Sequence, residues 1–238
     1  MKNELYIIKK MIKTRTYLFL MLLTLITSIF FFVISGISDN IHSRYFECIT
    51  NIWSVGAILL ITAGVTAKFL GEIKNNTNYC LRFNDKESFF KKNFKVIVIL
   101  NTIILLINYL VPFVVLLVSN LNKEIVNHDV YNISMIVYLT FFVFKNIILI
   151  NLLNILYFVF SLTSKRLSYL YFLLILYIVI SPVNITINKF SFDPSYYFIG
   201  VTYSNFILEV SYTILYISLS HIIIYLLYRS YLKLKIDL

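Results

Sequence analysis

Six long stretches of this chain carry no charge, or a single one, and each is long enough to cross a bilayer. They are 16–38, 48–67, 96–122, 130–164 (broken by Lys145), 167–188 and 194–228 (broken by Glu209). About 20 apolar residues in a helix span a hydrocarbon core of about 30 Å. With 60% apolar and 13% charged residues, the chain has too little polar surface to cover its apolar mass in water. The 5 Gly, 3 Pro and 2 Cys among 238 residues also exclude fibrous, disordered and disulfide-stapled classes. The expected fold is an all-α integral membrane protein, a single transmembrane domain over 1–238. Its six spans are expected near 16–38, 48–67, 96–118, 133–164, 167–187 and 205–228. The first stretch, at 23 residues with no A-x-A site after it, is too long for a signal h-region and is read as a helix.

Lys and Arg set the orientation. With an inside N-terminus and six spans, seventeen of the 21 fall in cytoplasmic segments. Arg44, Lys123 and Lys189 fall outside, and Lys145 lies within a span. Both termini are therefore expected in the cytoplasm of a cell-membrane protein. The net charge of +10 reads as topology determinants facing anionic lipid, with no soluble basic domain to hold nucleic acid. Cys48 and Cys80 fall on opposite sides of the membrane and have no metal-site spacing. The high Ile, Asn, Lys, Phe and Tyr content fits an AT-rich coding sequence and carries no functional reading.

Residues 1–15 place Leu5, Ile8, Met11 and Ile12 on one helical arc, with Lys2, Lys9, Lys10 and Lys13 opposite. That is the pattern of a basic amphipathic helix in the membrane interface. In the second span Gly56, Ala63 and Ala67 share a face within ~40°, and Gly64 lies in the same helix. Small faces let helices approach closely in lipid, so these residues are expected to pack against a neighbouring helix or a second copy. Segment 68–95 is the long cytoplasmic loop, with Leu81, Phe83, Phe89, Phe90 and Phe94 interleaved with charge. Asn84 or Asp85 is a candidate cap for a short helix over Lys86–Lys95, suited to docking a soluble protein. Segment 182–203, punctuated by Pro182, Pro194 and Gly200, is expected to form a short outer-face helical segment between spans five and six.

Catalytic chemistry is hard to place here. The chain has no G-x-x-x-x-G-K-[ST], no H-E-x-x-H and no G-x-S-x-G. His42, His128 and His221 are scattered singly. Lys145 and Glu209 each lie 20 residues before an inner basic residue (Lys165 and Arg229), at matched depth near the outer hydrocarbon boundary. Three readings stand for them: outward snorkelling, an ion pair bracing two helices, or the lining of a substrate path. His221 is expected to pack between helices. No metal, cofactor or catalytic residue is expected on the chain itself.

The layout resembles the small type-2 permease subunits of ABC exporters: an interfacial N-terminal helix, six spans, a basic loop after the second and a structured outer segment before the sixth. Glu72, Thr77, Leu81, Asn84–Asp85 and Lys95 are similar to that family's pattern after the second span, and Ser161–Arg166 to its run closing the fourth. Arg82-Phe83-Asn84-Asp85 stands where the family often has a Pro-containing turn. The resemblance implies a separate cytosolic ATPase that alone binds ATP and Mg. It implies docking through Glu72, Leu81, Phe83, Asp85, Phe89, Phe90 and Phe94, and a second permease copy or sister chain. It also implies an amphipathic peptide or hydrophobic substrate, in bacteriocin export or self-immunity. The alternatives are a stand-alone immunity or binding membrane protein without an ATPase, and an ion-coupled transporter.

Overall fold

The structure, a computed structural model, describes residues 2–34, 39–50, 52–74, 85–118, 124–128, 131–163 and 205–233. Among them there are seven helices: α1 (Lys2–Ile12), α2 (Arg15–Ile34), α3 (Ile41–Thr50), α4 (Ile52–Lys74), α5 (Lys86–Val118), α6 (Met135–Thr163) and α7 (Phe206–Lys233). The described residues form no strand, only one isolated bridge between Asn127 and Ser134. The protein is helical and membrane-embedded in character. Helices α4 to α7 are each long and apolar enough to cross a bilayer, which makes four, or five if α1 and α2, bent by 66° between them, are counted together as one span. The stretch expected as the fifth span, 167–187, and the outer segment 182–203 lie outside the described residues.

Local sequence explains where the helices start. Thr14 turns the chain from α1 into α2: its hydroxyl donates to the Met11 carbonyl at 2.7 Å and accepts the Tyr17 N–H at 3.3 Å. Asn40 caps α3 through the His42 N–H at 2.9 Å, and Asn205 caps α7 through the Leu208 N–H at 2.8 Å. Asp85 caps α5 through the Ser88 N–H, with Glu87 in the first turn on the positive end of the helix dipole.

Two boundaries differ from the sequence expectation. The second apolar stretch is divided: Ile41–Thr50 is a helix of its own, and α4 runs on to Lys74. Glu72 therefore sits on the last turn of α4, ion-paired to Lys68 at 2.8 Å, rather than in a loop. That i,i+4 pair supports the extra turn. Likewise Lys86–Lys95 is the first part of α5 and not a separate helix, because no Gly or Pro interrupts the run into Val96. Of the long loop expected over 68–95, residues 68–74 and 86–95 are helical, and 75–84 lie outside the described residues.

Helices α4 and α5 form the middle of the bundle: α4 packs against α2, α5 and α6, and α5 also meets α1, α2 and α6. α3 lies across α4, α5 and α6, while α7 packs along α6. Ala63 is fully buried, Gly56 is buried and Ala67 packs against the core. The small face of α4 thus meets helices of this same chain. A Cβ added at Gly64 would lie 3.7 Å from a Leu20 methyl, an ordinary contact. Gly64→Ala is therefore expected to leave the thermal midpoint in detergent unchanged or slightly raised, since Ala favours helix by about 1 kcal/mol over Gly. Gly64→Leu, driven into Leu20, is expected to cost about 1–3 kcal/mol. Equal midpoints for the two variants would remove this contact from the account.

Helices α6 and α7 run in the same direction. Lys145 meets Glu209 near one end, while Phe158 and Tyr228 both stack on Phe90 near the other. Lys9, Lys10, Lys13, Lys68, Lys86, Lys91, Lys92, Lys95, Arg229 and Lys233 all belong to the Phe90 end. Asp39, Arg44, Glu47 and Glu124 belong to the other. Among the described residues, one end of the bundle is therefore strongly basic and the opposite end is mixed.

Candidate functional site: a buried ion pair under an aromatic cap

Helix α6 presents Lys145, in its half away from the basic end, to Glu209 in the first turn of α7. The ammonium donates to Glu209 Oε1 at 2.7 Å, and the two side chains are 2% and 1% exposed. Neither snorkels to the surface. The Tyr131 hydroxyl donates to Oε2 at 2.7 Å, and the Tyr138 hydroxyl lies 3.5 Å from Oε1. The Lys145 ammonium also sits 4.6 Å from the Phe142 ring centre and 5.5 Å from that of Phe141. Each charge is thereby matched: the carboxylate by one cation and two hydroxyls, the ammonium by one anion and two ring faces.

The segment before α6 closes this site. Met135 N–H donates to Val126 C=O at 2.9 Å and His128 N–H to Ile133 C=O at 2.7 Å, which folds the chain back on itself. Asn132 takes the turn with φ of 51°, a left-handed conformation that Asn tolerates better than most residues. His128, itself buried, stacks on Tyr131 with ring centres 4.8 Å apart and meets Tyr138 at 4.1 Å with the ring planes tilted by 48°. Phe46 of α3 packs edge-on against His128, Tyr138 and Phe142. Asn40 Nδ2, at the start of α3, donates to the Glu124 carbonyl at 3.0 Å. The pair is therefore roofed by α3, the turn and their rings.

A second polar feature runs inside the bundle. Asn101 Nδ2 donates to Thr66 Oγ1 at 3.0 Å, and that hydroxyl donates to Asn154 Oδ1 at 3.2 Å. Asn151 Nδ2 donates to Thr102 Oγ1 at 3.1 Å, and Ser28 Oγ donates to Asn108 Oδ1 at 3.0 Å. These bonds tie α2, α4, α5 and α6 together across the helix interfaces.

The residues expected to dock a partner separate into two sets. Phe89 and Phe90 are buried, so the docking role expected of these two is corrected: they face the bundle interior. Phe90 stacks on Tyr228 at 4.4 Å and Phe158 at 5.5 Å, with Phe94 and Tyr231 at 6.1 and 6.4 Å. Phe94 is half-buried against the core. Asp85, Glu87, Lys91 and Lys95 are exposed on the same turns, and Glu87 pairs with Lys91. A shallow groove of about 470 Å³ runs along this face, lined by Asp85, Ser88, Lys92 and Lys95 among others. Leu81 and Phe83 lie outside the described residues. His221 is exposed on α7, its Nδ1 2.8 Å from the Ile217 carbonyl, rather than packed between helices. Among the described residues no group of His, Cys, Asp and Glu could hold a metal ion. No protein-family model, curated protein or solved structure matches the chain, so the likeness to exporter permeases rests on the layout and residues quoted from the sequence.

Proposed function

We propose that this chain is the membrane-spanning permease subunit of an ATP-driven exporter, working with a separate cytosolic ATPase. It moves an amphipathic or hydrophobic substrate, a peptide of the bacteriocin type, out of the cell. The observation that carries the proposal is the polarity of the bundle. Its basic end gathers α1, the end of α4 and the charged first turns of α5, whereas the chain has no nucleotide-binding motif of its own. In this reading the basic end faces the cytoplasm, with both termini, by the positive-inside rule. Helix α1, with Ile8 and Met11 buried and Lys9 and Lys10 exposed, lies in the inner interface. The exposed face Asp85–Glu87–Lys91–Lys95 meets the ATPase, and a second permease copy or sister chain completes the path.

The test uses tagged full-length protein extracted in mild detergent, with identification of the soluble proteins that accompany it. It is run beside the double variant Glu87→Lys with Lys91→Glu. That exchange keeps the intrahelical pair and inverts the pattern shown to a partner. A soluble ATPase recovered with wild type and lost with the variant is the expected result. Recovery with both keeps the exporter and moves the docking face elsewhere. No ATPase from a folded sample turns the reading to a stand-alone immunity protein. The buried Lys145–Glu209 pair favours one further reading, an ion-coupled transporter, which predicts substrate movement that follows an imposed ion gradient without ATP.

A further inference from the structure

We propose that the α5/α6 interface binds internal water between the side-chain amides of Asn101, Asn146 and Asn151, making a wet seam through an otherwise apolar bundle. The inference stands whether or not an ATPase partner is found.

Asn101 and Asn146 are completely buried and Asn151 is 7% exposed. Asn101 Oδ1, Asn151 Oδ1 and Asn146 Oδ1 have no protein partner among the described residues, and the Asn146 amide N–H groups reach only toward the Tyr109 hydroxyl, too loosely for a well-formed bond. These groups share one interface. The Asn151–Thr102 bond and the Asn101–Thr66–Asn154 chain put Asn101 and Asn151 at one level of the antiparallel α5/α6 contact. Asn146 lies five residues outward, about 7.5 Å along α6, beside Tyr109 of α5.

The chemistry of the leftover atoms selects the ligand. A buried polar group left alone costs about 1–3 kcal/mol. An apolar ligand would satisfy none of them. A metal cation would serve the carbonyl oxygens and leave the Asn146 N–H groups alone. It would also bring a charge with no counter-ion, because the carboxylate of Glu209 already serves Lys145 and Tyr131. Water donates to the three Oδ1 atoms and accepts from Asn146 Nδ2. A buried water in a protein makes about three such bonds.

The test is radiolytic hydroxyl-radical labelling of the full-length chain in lipid nanodiscs, with ¹⁸O-water marking oxygen that comes from water rather than dioxygen, so that label on a buried ring reports water inside the bundle. Tyr109, 3% exposed, is the reporter, and Tyr17, 1% exposed and bonded to the Leu100 carbonyl, is the dry control. The expected result is ¹⁸O label on Tyr109 and none on Tyr17. That label is lost in Asn146→Leu and reduced in Asn151→Leu, the second variant serving if the first does not fold. Tyr109 as unlabelled as Tyr17 in wild type overturns the proposal. So does label that persists undiminished in both variants. Replacing sodium with choline at constant ionic strength should change neither label nor thermal midpoint; a change would mark a cation site and overturn the water assignment.

Discussion

Lys145→Met alone is expected to lower stability by about 3–5 kcal/mol, and Glu209→Gln alone by a similar amount. The first leaves a buried carboxylate with only the Tyr131 and Tyr138 hydroxyls. The second leaves a buried ammonium with a neutral Gln carbonyl and the Phe141 and Phe142 faces, but no counter-charge. The double variant Lys145→Met with Glu209→Gln is expected to recover most of the loss. No net charge is then buried, and the Gln carbonyl still accepts from Tyr131. Unfolding by SDS titration from mixed micelles reads all four proteins. A double variant as unstable as the sum of the singles would show that the two charges do not depend on each other. The exchange Lys145→Glu with Glu209→Lys asks the same question with both charges retained. It should surpass either single change, although the swapped carboxylate loses its two hydroxyl donors.

The basic end of α7 should be as sensitive as the end that carries Glu209. Phe90→Ala removes a side chain that touches Phe94, Phe158, Tyr228 and Tyr231 at once. A loss of about 3–5 kcal/mol is expected for a buried Phe whose cavity cannot collapse. The damage should be local to α7, which keeps only Glu209, Thr213 and Tyr231 buried among its residues. Hydrogen exchange should therefore accelerate over Tyr225–Lys233 more than over α4. Uniform acceleration across the bundle would mean that Phe90 supports the whole core rather than the seating of one helix.

Much of this arrangement could be read from residues alone. The bounds of α6 follow from the flanking charges Asp129 and Lys165, and the expected 133–164 lies close to Met135–Thr163. The meeting of Lys145 and Glu209 was legible as one of three readings, because two lone charges at equal depth in apolar helices have few other partners. Phe89 and Phe90 misled because charge surrounds them in sequence. Helical spacing shows what adjacency hides: Phe89, Asn93, Val96, Ile97, Leu100 and Ile104 form one buried stripe that continues down α5. The break between α3 and α4 was not legible, since Thr50 to Ile52 carries no Gly, Pro or charge. Tyr131 and Tyr138 were missed because an aromatic-rich sequence offers many tyrosines and no signal for which ones reach a carboxylate. The asparagines of α5 were set aside with the general Asn content. Yet Asn93, Asn101 and Asn108 recur at intervals of eight and seven residues, two helical turns apart.

The bend at Thr14 has a mechanical consequence. One hydroxyl closes the last turn of α1 and opens the first turn of α2, so no slack chain separates the two axes. Torque on α1 about that corner cannot be absorbed by a loop. It passes into α2 and from there, through the Tyr17 hydroxyl on the Leu100 carbonyl, into the middle of α5. A push against the flat N-terminal arm is thus delivered half-way across the bundle as a twist, along a linkage with a single pivot.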